Sequence, residues 1–209
     1  MYSVKEAFLT LQGEGYHAGR AAVFCRFSGC NLWSGQEEHR ESAACVFCDT
    51  DFVGTDGSGG GKFAAAECLA GHLETIWGRE ARNRFVVFTG GEPLLQLDEQ
   101  LIHAMRARGF MIAVETNGTL SPPAGISWLT VSPKGINPIN ARRGQELKLV
   151  FPQVAAPPER FEDLPYAHFF LQPLHGPHLG EYTEAAIQYC LTHPKWRLSV
   201  QMHKLVGIA

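Results

Sequence analysis

Three cysteines carry the strongest chemical signal in the chain. Cys45 and Cys48, in Cys45-Val46-Phe47-Cys48, have the two-residue gap of a metal or cluster clip, and Cys30 is separated from Cys45 by the fourteen residues "NLWSGQEEHRESAA". Four-iron clusters usually take four cysteines, so three leave one iron open to another molecule, and an open position is what makes a metal site catalytic. A structural zinc would need a fourth ligand, His39 or Cys25, and zinc ribbons show two tight pairs where this chain has one. Cys25 lies in an apolar strand pattern and Cys68 and Cys190 on apolar faces of helical patterns, so these three read as buried, inert thiols. Arg26 stands on an otherwise apolar run, where a guanidinium must find a partner, either a ligand carboxylate or an internal salt bridge.

Such residues need strands to position them. Short apolar runs bounded by turn residues begin near 21, 85, 111, 127, 146, 168 and 197, and read as buried, mostly parallel strands. Helical patterns cover 62–78, 96–109 and 181–194. The connections "TLSPPAGI" and "PKGINPINARRGQ" are too broken by Pro and Gly for crossover helices. The expected fold is therefore α/β, an incomplete TIM-like β/α barrel with few outer helices. The stretch 54–62, "GTDGSGGGK", reads as a flexible loop, because its spacing is not that of a phosphate-binding loop.

In such folds ligands sit at the carboxyl ends of the strands. There the chain gathers Arg26 and Cys30, Thr89-Gly90-Gly91-Glu92-Pro93, Glu115-Thr116-Asn117-Gly118, Ser132, Lys134, Lys148, Gln172 and His203. That concentration argues for one shared site. Glycines at 90 and 91 would let backbone approach a ligand, and Glu92 can accept from an ammonium.

With 209 residues, 45% of them hydrophobic, the chain is long enough for one core, and residues 1–209 read as a single domain with an insertion at 31–44. That insertion has the charge and alanine content of a short solvated helix that folds out and back. The chain's 18 Lys and Arg are scattered and its net charge is −3, which leaves no footprint for nucleic acid. No stretch approaches the roughly 20 apolar residues of a membrane span, and no basic start precedes an apolar run. A soluble cytoplasmic chain is expected, in which disulfides are improbable.

Together "TLQGEG", "FCRFSGCNLW", "CVFCDT", "TGGEP", "ETNG" and "SPK" resemble the radical S-adenosylmethionine superfamily, and within it the branch serving queuosine and deazapurine synthesis. The superfamily usually spaces its cysteines C-x3-C-x2-C, so the long gap after Cys30 is a departure. The resemblance implies a [4Fe–4S] cluster on Cys30, Cys45 and Cys48, and S-adenosyl-L-methionine bound by Phe47, Gly91, Glu92, Glu115, Asn117, Ser132, Pro133, Lys134 and Gln172. It implies Mg2+ at Thr50, and a pterin substrate held by Leu11, Gln12, Gly13, Glu14, Arg26, Thr89 and Gly90, with His203 and the chain end Ala209 within reach. Gln12 and Glu14 match the donors and acceptor of a 2-amino-4-oxo pyrimidine edge. The implied reaction is radical abstraction of the C6 hydrogen of 6-carboxy-5,6,7,8-tetrahydropterin, then ring contraction and loss of ammonia. The implied partners are an electron donor such as a flavodoxin and a second copy in a homodimer. Rival readings are a radical activase acting on a partner protein and a zinc-stabilised binding module without catalysis.

Overall fold

The computed structural model describes residues 1–208. Its strands are β1 (Tyr2–Leu11), β2 (Ala21–Phe27), β3 (Gly61–Phe63), β4 (Phe85–Gly90), β5 (Met111–Thr116), β6 (Trp128–Val131), β7 (Gly144–Phe151), β8 (Tyr166–Pro173) and β9 (Trp196–Leu198). Helices are α1 (Ala66–Trp77), α2 (Glu99–Ala107), α3 (Leu179–Thr192) and α4 (Met202–Val206). All nine strands make one sheet in the order β3-β1-β2-β4-β5-β6-β7-β8-β9. From β2 to β9 every pairing is parallel, while β1 runs antiparallel to both β2 and β3. The sheet ends at β3 and β9 and does not close, as expected of an incomplete barrel. Outer helices are missing between β5 and β6 and between β6 and β7, where the Pro- and Gly-rich connections lie.

Side-chain alternation sorts the sheet into two faces. Val23, Cys25 and Phe27, Val86 and Phe88, Ile112 and Val114, Leu129 and Val131, and Leu147 and Leu149 point outward into the main core with Leu69, Leu73, Leu101 and Met105 of α1 and α2. The residues between them point inward: Arg26, Thr89, Glu115, Thr130, Glu146, Lys148 and Gln172, above a small apolar floor of Ala22, Phe85, Val87 and Ala113. The parallel strands thus turn an apolar face to the main core and carry their polar residues on the inner face, mostly toward their carboxyl ends. The register then lines up Glu115, Thr130, Glu146 and His168 across four strands.

Several elements differ from expectation. β1 was not anticipated, because Lys5-Glu6 and an irregularity between Val4 and Glu6 interrupt its alternation. Part of the stretch expected to be a flexible loop is ordered: Gly61–Phe63 pairs with Tyr2–Val4, and Gly57 N–H donates to the Lys5 carbonyl. The strand expected from 197 stops at Leu198 and gives way to α4, whose Met202 N–H docks on the Gly13 carbonyl at 2.9 Å. Cys25 is fully buried as expected and Cys190 packs partly against the core, but Cys68 is exposed, on the solvent side of α1. No helix among the described residues is long and apolar enough to cross a membrane.

Candidate functional site

The inner face opens into one cleft of about 380 Å³. Its wall includes Leu11, Gln12, Gly13, Glu14, Arg26, Thr89, Gly90, Gly91, Glu115, Asn117, Ser132, Lys134, Gln172 and His203, together with Cys45, Phe47, Cys48 and Thr50. Cys30, Glu92 and Pro133 are not part of that wall. Ala209 lies outside the described residues.

Cys30 follows the end of β2 and is held from both sides. Leu32 N–H points at its sulfur at 3.4 Å, and Glu92 N–H donates to the carbonyl of Gly29 at 3.0 Å. The two glycines of the turn after β4 serve this approach. Gly90 has φ +133°, and a Cβ there would strike the Phe27 carbonyl, while one on Gly91 would strike the Gly29 carbonyl and come within 2.7 Å of Cys30 Cβ. Asn31 completes the docking, its side chain bonded to Asn117 at 2.9 Å and Thr119 at 2.8 Å. Burial pushes the Cys30 and Cys45 thiols up; Glu92 and Cys48 raise Cys30 further, while for Cys45 the Lys134 ammonium opposes burial and Cys48 and Cys30 add to it. All three sulfurs therefore lie within electrostatic reach of one another, and they surrender protons when a metal centre takes their place.

Among the described residues no group of three or more His, Cys, Asp and Glu is close enough to share one ion. A polynuclear cluster makes a different demand, since each thiolate bonds its own iron and the sulfurs stand further apart. The two ligands considered for zinc are engaged elsewhere: His39 bonds Ser34 at 2.9 Å on the exterior, and Cys25 is sealed in the core. The thiol set fits a cluster.

Lys148 organises the polar part of the cleft. Its ammonium, on an inner position of β7, reaches Glu14 Oε2 at 2.5 Å and Glu115 Oε1 at 3.3 Å. Gln172 and Gln201 donate to Glu14 Oε1 at 3.1 and 2.9 Å, and Gln12 donates to Glu115 at 3.0 Å. Burial alone would raise the Glu14 carboxyl, but Lys148, the Gln201 amide and His203 hold it well below the ordinary carboxylate range; burial alone would lower Lys148, but Glu115, Glu14 and Glu146 push it up. Glu115 and Gln172 thus stand with the residues expected for substrate. His203 packs so closely on Gly13 that a Cβ there would overlap its ring.

Arg26 donates from Nε to Glu6 at 2.8 Å, so the internal salt bridge weighed from the sequence exists, supplied by the neighbouring strand β1. Its two terminal nitrogens make no hydrogen bond to another described residue. Glu92 is fully buried and caps the short turn Pro93–Leu95, accepting from Leu94 N–H at 3.0 Å, Thr116 Oγ1 at 2.7 Å and Asn117 N–H at 2.8 Å. It ties the turn after β4 to the end of β5. Lys134 donates to Ser132 Oγ at 2.5 Å and stands 6.0 Å from the Phe47 ring centre. Asp49, one residue past the cysteine pair, pairs with Lys204 of α4 at 2.7 Å.

No family model matches the chain. It is 64% identical over 207 residues, 99% of each chain, to a 7-carboxy-7-deazaguanine synthase of Bordetella pertussis, and 62% identical over the same span to one of Caulobacter vibrioides. Among solved structures it resembles QueE from Escherichia coli, with a TM-score of 0.71 at 28% identity over 97% of this chain and 94% of that one. The chain belongs to the 7-carboxy-7-deazaguanine synthase family. Among the contributors to this family member's cleft that sequence reasoning overlooked are Glu6, Gln201, Lys204 and Asp51. Glu6 was hidden with the strand that carries it, and Gln201 and Lys204 with α4. Asp51 lies beside the expected Thr50 and is paired with Lys5 at 2.8 Å.

Proposed function

We propose that this chain is a 7-carboxy-7-deazaguanine synthase acting as a radical S-adenosylmethionine lyase, which contracts the ring of 6-carboxy-5,6,7,8-tetrahydropterin with loss of ammonia. One observation carries the reading: the paired cysteines and the largely buried Gln12–Glu14–Glu115–Lys148 array open into the same small cleft. A [4Fe–4S] cluster on Cys30, Cys45 and Cys48, with S-adenosyl-L-methionine at its open iron, would supply the electron and the radical chemistry that removes a hydrogen from the pterin.

The chain's own residues bind and orient. Glu14 and Glu115 outnumber the single ammonium between them, so a donor-rich pyrimidine edge suits them, and Gln12 adds an amide. The two terminal nitrogens of Arg26, which make no hydrogen bond to another described residue, suit the substrate carboxylate, with Glu6 fixing the plane of the fork. Ser132, Lys134, Asn117, Gly91 and Phe47 supply the contacts for the nucleoside and methionyl parts, with Glu92 and Pro133 shaping them from behind. Thr50 would offer a hydroxyl to Mg2+, which keeps most of its waters. His203 of α4 and Gln201 at its N-terminal cap line the cleft and would narrow its mouth over the substrate.

An activase would need a site open to a polypeptide, whereas about 380 Å³ suits a small molecule. The chemistry needs an outside one-electron donor, for which a flavodoxin is proposed. A homodimer in the cytoplasm completes the reading, with exposed Leu198, Val200, Leu205 and Val206 near the open edge β9 as a face for the second copy. The test is anaerobic reconstitution followed by incubation with S-adenosylmethionine, a reductant and the carboxytetrahydropterin. Formation of 7-carboxy-7-deazaguanine, read by mass spectrometry, is expected; cofactor cleavage with intact pterin would overturn the substrate assignment.

A further inference from the structure

Residues 31–44 fold back onto the cysteine pair through one side chain. Arg40, just after the short 3-10 turn Glu37–His39, donates from Nη1 to the carbonyls of Val46 at 3.0 Å and Cys48 at 3.1 Å. Its Nε and Nη2 grip the two carboxylate oxygens of Glu37 at 2.6 and 2.8 Å. The guanidinium lies over the Trp33 ring, 4.1 Å from its centre. Trp33 is itself fixed, donating from Nε1 to the Gln36 carbonyl at 3.1 Å and resting edge-on against Phe52. Ala44 N–H closes the excursion on the Leu32 carbonyl at 3.0 Å.

The guanidinium plane is thus clamped on its edges and one face, and the side chain is only 27% exposed in a segment where only Leu32 and Trp33 are buried. This geometry needs a planar fork with several fixed donors, which an ammonium lacks. The cation also lies within electrostatic reach of Cys48 and Cys45.

Resting on the reading that Cys30, Cys45 and Cys48 hold a cluster, we propose that Arg40 is its positioning residue. The fork holds the Cys45–Cys48 backbone in the shape that presents both sulfurs. The fixed charge favours the reduced cluster, which carries one more negative charge than the oxidised one. The insertion then replaces a short loop by an internally braced one, at no cost in ligands.

The test compares Arg40→Gln, Arg40→Lys and Cys45→Ala with the parent, as full-length proteins reconstituted anaerobically. Iron content, the paramagnetic signal after dithionite, a redox titration and the rate of iron loss to a chelator are measured. Arg40→Gln is expected to bind iron, to shift the reduction equilibrium roughly tenfold toward the oxidised form, about 59 mV for one electron, and to lose iron about tenfold faster. Arg40→Lys is expected to recover most of the potential but not the chelator resistance. Parental potential and resistance in Arg40→Gln, beside an iron-free Cys45→Ala, would overturn the role of Arg40. Should Arg40→Gln fail to take up iron, Arg40→Lys decides, and parental resistance there would overturn it. A full cluster in Cys45→Ala would instead overturn the ligand reading beneath.

Discussion

At the scale of single residues, the cleft is built from charges that buried neighbours hold in place. Glu14→Gln removes one acceptor from Lys148 and presents an amide where a pyrimidine edge would donate; substrate affinity should fall by about 1–3 kcal/mol, while S-adenosylmethionine affinity stays. Unchanged pterin binding by calorimetry, at matched iron content, would remove Glu14 from the substrate set. The same carboxyl has a pH signature. Its folded-state value is depressed by Lys148, so its stabilisation is present above the ordinary carboxylate range and fades as pH falls below it. The stability gap between parent and Glu14→Gln should narrow as unfolding is measured at progressively lower pH. For Arg26→Lys the charge remains and the fork is lost, so the pterin KM should rise more than tenfold, several kcal/mol being at stake in a desolvated charge pair. Parental KM in that variant would count against Arg26 as the carboxylate clamp.

At the scale of elements, legibility followed periodicity. The parallel strands β2 and β4 to β8 were readable because both faces are covered, which leaves short continuous apolar runs between turn residues. β1 was not, because its inner face carries Glu6 and Thr10 and an irregularity breaks its alternation. α4 has five residues and is held by docking on Gly13 rather than by any helical pattern of its own, so an apolar run was read through it. The glycines after β4 were expected to make room for a ligand, and they also make room for the Cys30 segment, a contact between distant loops that no local pattern discloses. α4 can be probed at Gly13: a methyl there displaces the His203 ring, so Gly13→Ala should raise the pterin KM several-fold and expose residues 199–208 to limited proteolysis. A parental digestion pattern would mean that α4 tolerates the displacement. By contrast Leu147→Ala, on the outer face of β7 and fully buried, should cost about 2–5 kcal/mol in denaturant unfolding with little change in KM.

At the scale of the molecule, one open sheet divides the labour. Its outward face packs on three helices, and its inward face gathers residues of β1, β2, β4, β5, β7 and β8 toward loops that carry the thiols. Many of the residues that line the cleft were legible because polar types are uncommon on apolar strands. Their pairings were not, since Lys148 with Glu14 and Glu92 with Thr116 join positions far apart in the chain. The central claim is that Cys30 joins Cys45 and Cys48 across a fourteen-residue excursion to hold one cluster. The most direct measurement is iron and sulfide content, with S-adenosylmethionine cleavage, in anaerobically reconstituted Cys30→Ala beside Cys25→Ala, Cys68→Ala and Cys190→Ala. Cys30→Ala is predicted to be folded, iron-deficient and unable to cleave the cofactor, while the other three retain both. Full iron content and cofactor cleavage in Cys30→Ala would contradict it.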